Sequence, residues 1–98
     1  MADPYQIRYA ALGADDLRAL RAFDQQKVLA AMEQHLLHEP TRVSKSRIKL
    51  MTQPFWSGYR LRVDDFRVYY DVDEVDRVVM ILRVLEKGSG PTPAQWTS

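Results

Sequence analysis

Arginines and lysines crowd the middle of this 98-residue chain. Arg42, Lys45, Arg47, Lys49, Arg60, Arg62 and Arg67 stand there against two acids, Asp64 and Asp65. A guanidinium offers planar, paired donors that match a phosphate or a carboxylate. Chemistry on an anion is therefore the first thing to look for, either RNA phosphates or an acidic peptide. Within "YRLRVDDFRVYYDV" the arginines alternate with apolar residues. If Asp64-Asp65 is a two-residue hairpin loop, Val63 pairs with Phe66, Arg62 with Arg67, Leu61 with Val68 and Arg60 with Tyr69. Opposed like charges cost stability, yet a one-residue slip would place Leu61 and Val68 beside arginines, so the pattern resists it.

A second hairpin extends that surface. A loop of Asp73, Glu74 and Val75 predicts Asp71 opposite Arg77, Tyr69 opposite Val79 and Arg67 opposite Ile81, with Arg83 joining the arginine side. Lys87 shares that parity if the strand runs on. The expected open face thus holds Arg60, Arg62, Arg67, Tyr69, Arg83 and Lys87, with Tyr69 able to stack on a base. A solvated sheet surface is the plain alternative, but the cluster is dense and has few acidic neighbours.

Other chemistries are excluded or weak. The chain has no cysteine, so it offers no disulfide, thiolate ligand or thiol nucleophile. His35 and His38 are three apart on a helix but lack a third metal ligand at suitable spacing. No phosphate-loop, dinucleotide-binding or nucleophile-elbow pattern occurs. Net charge is only +1, so the basic middle is a local feature of a near-neutral protein. No run approaches membrane-spanning length and the N-terminus lacks a signal-type apolar segment, which predicts a cytoplasmic protein with no membrane partner.

The elements that must position these residues follow from periodicity. "YQIRYA" alternates and predicts a first strand. Gly13 breaks the pattern, and Asp15 or Asp16 caps a helix whose buried stripe is Leu17, Leu20 and Phe23. Asp24 caps a second helix from Gln25 to Leu37, buried through Val28, Leu29, Met32, Leu36 and Leu37 and ended by Glu39-Pro40. "TRVSKSRIKLMTQPFW" reads as a basic loop with a short extended piece at Ile48 to Met51, and Phe55-Trp56 as a plug at the sheet edge. Strands follow at Tyr59 to Val63, Phe66 to Val72 and Arg77 to Leu85. The expected fold is α+β, an N-terminal strand and a two-helix hairpin packed on one face of a small, mainly antiparallel sheet. Residues 1–88 form one domain, and the Gly/Pro-rich segment 89–98 is a mobile tail.

This order of elements, together with "GYRLRVDDFRVYYDVDEVDRVVMILRV", resembles the RelE/ParE superfamily of bacterial toxins; "RLRVDDFRVYYDVDE" is its most specific part. The resemblance implies a toxin of a type II toxin–antitoxin pair, neutralised by a cognate antitoxin. RelE-type members act in the ribosome, where they cut mRNA without a metal or other cofactor, the 2′-hydroxyl attacking the adjacent phosphate. ParE-type members share the fold and inhibit DNA gyrase, a non-enzymatic alternative, as is a member that only binds its antitoxin. By position, Arg67 matches the family arginine at the scissile phosphate, Arg60 a lysine of the preceding strand, and Lys87 the basic residue after the last strand. Arg62, Arg83 and Tyr69 would bind phosphate or RNA, and the loop residues Arg42, Lys45, Arg47 and Lys49 the ribosomal RNA backbone. The chain departs from the pattern where Gly58 replaces a second lysine, where Leu85-Glu86 follow Val84, and in a tail with Trp96 but no tyrosine for proton transfer. Arginine is a poor base because it stays protonated.

Overall fold

The computed structural model describes residues 4–44, 47–51 and 57–86. Lys45, Phe55, Trp56, Lys87 and the Gly/Pro-rich tail lie outside them. Seven elements follow in order: β1 (Gln6–Tyr9), α1 (Ala11–Ala19), α2 (Ala22–Leu36), β2 (Ile48–Leu50), β3 (Tyr59–Val63), β4 (Phe66–Asp73) and β5 (Val78–Glu86). They make one five-stranded sheet in the order β1-β5-β4-β3-β2. Only β1 runs parallel to its neighbour, β5; the other three pairings are antiparallel. The expected α+β layering is what the chain adopts. Leu17, Val28, Met32 and Leu36 of the helices meet Ile48, Leu61, Val68, Tyr70, Val79 and Ile81 of the sheet in one buried cluster. Each such side chain contributes about 1.5–3 kcal/mol on full burial. Tyr70 carries its hydroxyl into that core and donates it to the Pro40 carbonyl at 2.6 Å. No described helix is long and apolar enough to cross a membrane.

Both helices start earlier than their acidic residues suggest. α1 begins at Ala11, with Gly13 inside it. A Cβ on Gly13 would fall on the Ile81 carbonyl oxygen, so the glycine admits close approach of helix to strand rather than breaking the helix. Leu20 N–H returns to the Leu17 carbonyl at 3.2 Å and ends α1. The chain restarts at Ala22, so Phe23 belongs to α2 and is 72% exposed, not part of the first helix's buried stripe. Asp24 sits within the first turn of α2, 3.0 Å from Arg21 Nε, instead of capping it.

The β3–β4 register is the expected one, with Arg62 opposite Arg67 and Arg60 opposite Tyr69. Asp64 takes a φ of 50° at the turn, a conformation that Asp tolerates better than most residues. The β4–β5 register differs by three to four residues. Asp73 pairs with Val78, Asp71 with Met80, Tyr70 with Ile81, Tyr69 with Arg83 and Arg67 with Leu85. Two causes are visible. Asp73 Oδ1 accepts from both Val75 and Asp76 N–H at 3.0 Å and so holds a longer turn, closed by Arg77 at φ 54°. β5 also carries an extra residue, Leu82, where the ladder shifts between Tyr69 and Tyr70. Core positions Val79 and Ile81 are two apart, but the next, Val84, is three further on. A bulge brings all three inward. Ile81 therefore faces the core rather than Arg67, and Asp71 accepts from Gly58 N–H instead of meeting Arg77.

Candidate anion-binding site

The sheet face turned away from the helices gathers the basic residues into two rows. The first runs Lys49, Arg60, Tyr69 and Arg83 across β2, β3, β4 and β5. The second runs Arg62, Arg67 and Leu85, and the Arg47 carbonyl extends the backbone ladder beside it by accepting from Arg62 N–H at 2.8 Å. Since Arg62 directs that N–H toward β2, the Arg62/Arg67 pair is a non-hydrogen-bonded one, the kind that brings side chains closest. Lys49 therefore belongs to the sheet array, on the short extended piece expected at Ile48 to Met51, while Arg47, expected in a loop, stands at the β2 edge. The signal was present in "RIKL", where Ile48, buried beneath β2, separates the two cations.

Charge in this array is unbalanced. Elsewhere Arg18, Arg21, Lys27, Arg42 and Arg83 each hold an acid, at distances from 2.6 to 3.2 Å. Arg47, Lys49, Arg60, Arg62 and Arg67 form no ion pair among the described residues. Burial, and then the neighbouring Arg67 and Arg62 charges, pull Arg60 below the usual arginine range. Its Nε is buried without a hydrogen-bond partner among the described residues, which costs on the order of 1–3 kcal/mol. An anion with several acceptor oxygens would offset both penalties.

Arg83 stands apart from that group. The bulge at Leu82 turns it to the open face opposite Tyr69, but its guanidinium is already engaged by Asp16 of α1 through Nε at 2.6 Å and a second nitrogen at 3.1 Å. The same carboxylate accepts from Val84 N–H at 3.0 Å. β1 pairs with β5 only as far as Ile81, so Asp16 completes the strand edge that β1 leaves open. The pair also raises the Arg83 pKa, chiefly by the Asp16 hydrogen bond. Nothing in the sequence pattern marked Asp16 for this role, since its partners lie more than sixty residues away.

Residues 7–89 match the family model for the ParE toxin of the type II toxin–antitoxin system, parDE. The chain belongs to the ParE/RelE toxin family. A chain of the toxin–antitoxin complex RelBE2 from Mycobacterium tuberculosis is similar to this toxin at 25% identity and a TM-score of 0.76, over 91% of this chain and 98% of that one. A chain of the archaeal RelE–RelB complex from Pyrococcus horikoshii matches at 22% identity and a TM-score of 0.60, covering 88% and 98%. The RelB–RelE complex from Methanococcus jannaschii gives 18%, 0.56, 81% and 88%. These last two speak to the fold. No curated protein matches the chain. Four cations with no ion pair among the described residues, Lys49, Arg60, Arg62 and Arg67, thus occupy the open sheet face of a RelE-like fold, with Arg47 at its β2 edge. The third basic residue that the resemblance assigned, Lys87, follows Glu86, which β5 places opposite Phe66.

Proposed function

We propose that this toxin blocks translation by cutting ribosome-bound mRNA, with the scissile phosphate held by Arg60 and Arg67. The observation that carries the reading is the block of four open-face cations, Lys49, Arg60, Arg62 and Arg67, with no acid partner among the described residues. In the reaction the 2′-oxygen attacks phosphorus and the bond to the 5′-oxygen breaks, leaving a 2′,3′-cyclic phosphate and a 5′-hydroxyl. Arg60 and Arg67 stabilise the charge that builds on the phosphoryl oxygens. Arg62 holds a neighbouring phosphate, Tyr69 stacks on a base, and Lys87 completes the basic set. Arg42, Lys45 and Lys49 contact ribosomal RNA backbone, a sequence-independent and salt-sensitive term, and Arg47 holds an RNA phosphate at the β2 edge. Arg83, offset by Asp16, supports Tyr69 from across the strand pair.

The two rows contain no carboxylate or imidazole to accept the 2′-hydroxyl proton, so water or the ribosome takes it and supplies the proton that the leaving 5′-oxygen needs. General acid and base steps are each worth about 10²–10⁴-fold, and cleavage is accordingly slow. A cognate antitoxin inhibits by laying acidic side chains on the same cations, in keeping with the toxin–antitoxin complexes among the similar structures. A second reading, inhibition of DNA gyrase, has its own support in the ParE description of the matching family and in the missing proton-transfer groups. Mapping mRNA ends in a translation reaction, beside a supercoiling assay, separates the two. Codon-positioned cuts that vanish in Arg67→Ala support the nuclease; intact mRNA with blocked supercoiling rejects it.

A further inference from the structure

A second polar site lies around the β2 edge, between the end of α2 and the segment that leads into β2. Its cleft, about 440 Å³, is floored by Ile48 and walled by His35, His38, Arg42, Ser44 and Arg47, a size within the roughly 300–1,000 Å³ of small-molecule sites. Four features give it a chemical character. Arg47 belongs to both places, since its carbonyl is tied to Arg62 at 2.8 Å while its side chain lines the cleft. The Ser44 hydroxyl oxygen accepts from Arg47 N–H at 3.1 Å and Ile48 N–H at 3.3 Å, leaving its own hydrogen as a donor. The one acid of the cleft, Glu39, is taken by Arg42 at 2.8 Å. His35 and His38, three residues apart near the end of α2, supply two flat rings beside these donors.

We propose that this cleft binds one nucleotide of single-stranded RNA, its phosphate on Arg47 and the Ser44 hydroxyl and its base against the His35 and His38 rings. The proposal rests on the RNA-binding reading of the open face to the extent that the occupant belongs to the same strand, which passes from Arg62 to the cleft by way of Arg47. Histidine is one of the side chains on which unstacked RNA bases rest. Burial first, and the Arg47 charge second, hold His35 below the usual histidine range. The groups facing it are His38 and the Arg42–Glu39 pair beyond α2, Ser44, and Arg47 before β2. A phosphate beside Arg47 would cancel that charge and move His35 back up.

The chain has two histidines, so imidazole NMR signals of the full-length protein report on this cleft alone. Adenosine 5′-monophosphate, inorganic phosphate and a 2′-O-methyl trinucleotide serve as probes, with Arg67→Ala and His38→Ala as variants. Adenosine 5′-monophosphate should shift the His35 signals saturably and raise the His35 titration midpoint. Arg67→Ala should keep that response, while the exposed His38→Ala should weaken it about fivefold, the loss of one stacking contact. An equal response to inorganic phosphate overturns the nucleotide assignment, and loss of the response in Arg67→Ala moves the ligand to the open face and also overturns it. Unmoved histidines, with a trinucleotide that shifts the Arg60 and Arg67 amides, reject the cleft and keep the RNA-binding face. Shifted histidines with unmoved Arg60 and Arg67 amides keep the cleft and reject that face.

Discussion

Replacing Arg67 by glutamine should make the unbound protein more stable while removing its ability to hold phosphate. Arg67 lies directly opposite Arg62 in the closest kind of strand pair, and its charge weighs on Arg60 more than that of Arg62 does. Two like-charge contacts are therefore relieved, each worth about 0.2–1 kcal/mol. Exposure of Arg62 and salt screening reduce the sum, giving a net gain of about 0.5–1.5 kcal/mol. Glutamine keeps most of the aliphatic stem that lies beside Leu85, so little packing is lost. In a domain of this size the gain corresponds to a rise of roughly 3–10 °C in Tm. The assay is thermal unfolding at 20 mM and 500 mM salt, wild type against Arg67→Gln. The difference should shrink by half or more at the higher salt, where the screening length falls to a few ångströms. In parallel, the slope of log affinity for an RNA oligonucleotide against log salt should fall by about 0.7, one phosphate contact. An unchanged or lower Tm at low salt, or a gain indifferent to salt, would refute the idea that the open face stores uncompensated repulsion.

Other residues give independent outcomes. Asp16→Asn should lower stability by about 1.5–3 kcal/mol, since Arg83 and the Val84 N–H lose their shared charged acceptor; chemical denaturation with an Arg83→Gln/Asp16→Asn double-mutant cycle measures the coupling. Tyr70→Phe leaves the buried Pro40 carbonyl without its donor and should cost about 1–3 kcal/mol in urea unfolding. For His35 the folded pKa lies below the unfolded one, so the unfolded chain takes up the proton first. The stability associated with neutral His35 is complete above the unfolded value near 6.5 and is lost as pH falls through it toward the lower folded value. His35→Asn should flatten that decline in a stability–pH series.

The sequence revealed the open face where strict alternation met a short turn. From Tyr59 to Tyr70 every apolar residue but Tyr69 lies on one side, so one register satisfied burial, and that is the register observed. Alternation failed beyond Ile81 because the inward positions change spacing from two to three, and a period-two reading has no place for an extra residue. The helix starts were hidden for a related reason. Gly13 and Asp16 look like a break and a cap, yet they serve contacts with β5 that are distant in sequence. The short strand was expected at Ile48 to Met51, but three residues are too few for a period to show which face Lys49 takes.

The extra residue in β5 divides that strand into two stretches of opposite phase. Val79 and Ile81 fix the interior in the first stretch, Val84 in the second. Without the bulge to absorb Leu82, strict alternation would send Arg83 inward and Val84 outward, exchanging charge for hydrocarbon on both surfaces at once. The bulge at Leu82 thus decides which side chains the strand contributes to the working surface. Loss of Leu82 would leave Arg83 outward and Val84 inward on an unbroken ladder, whereas straightening the strand with Leu82 in place would rewrite that surface in a single step.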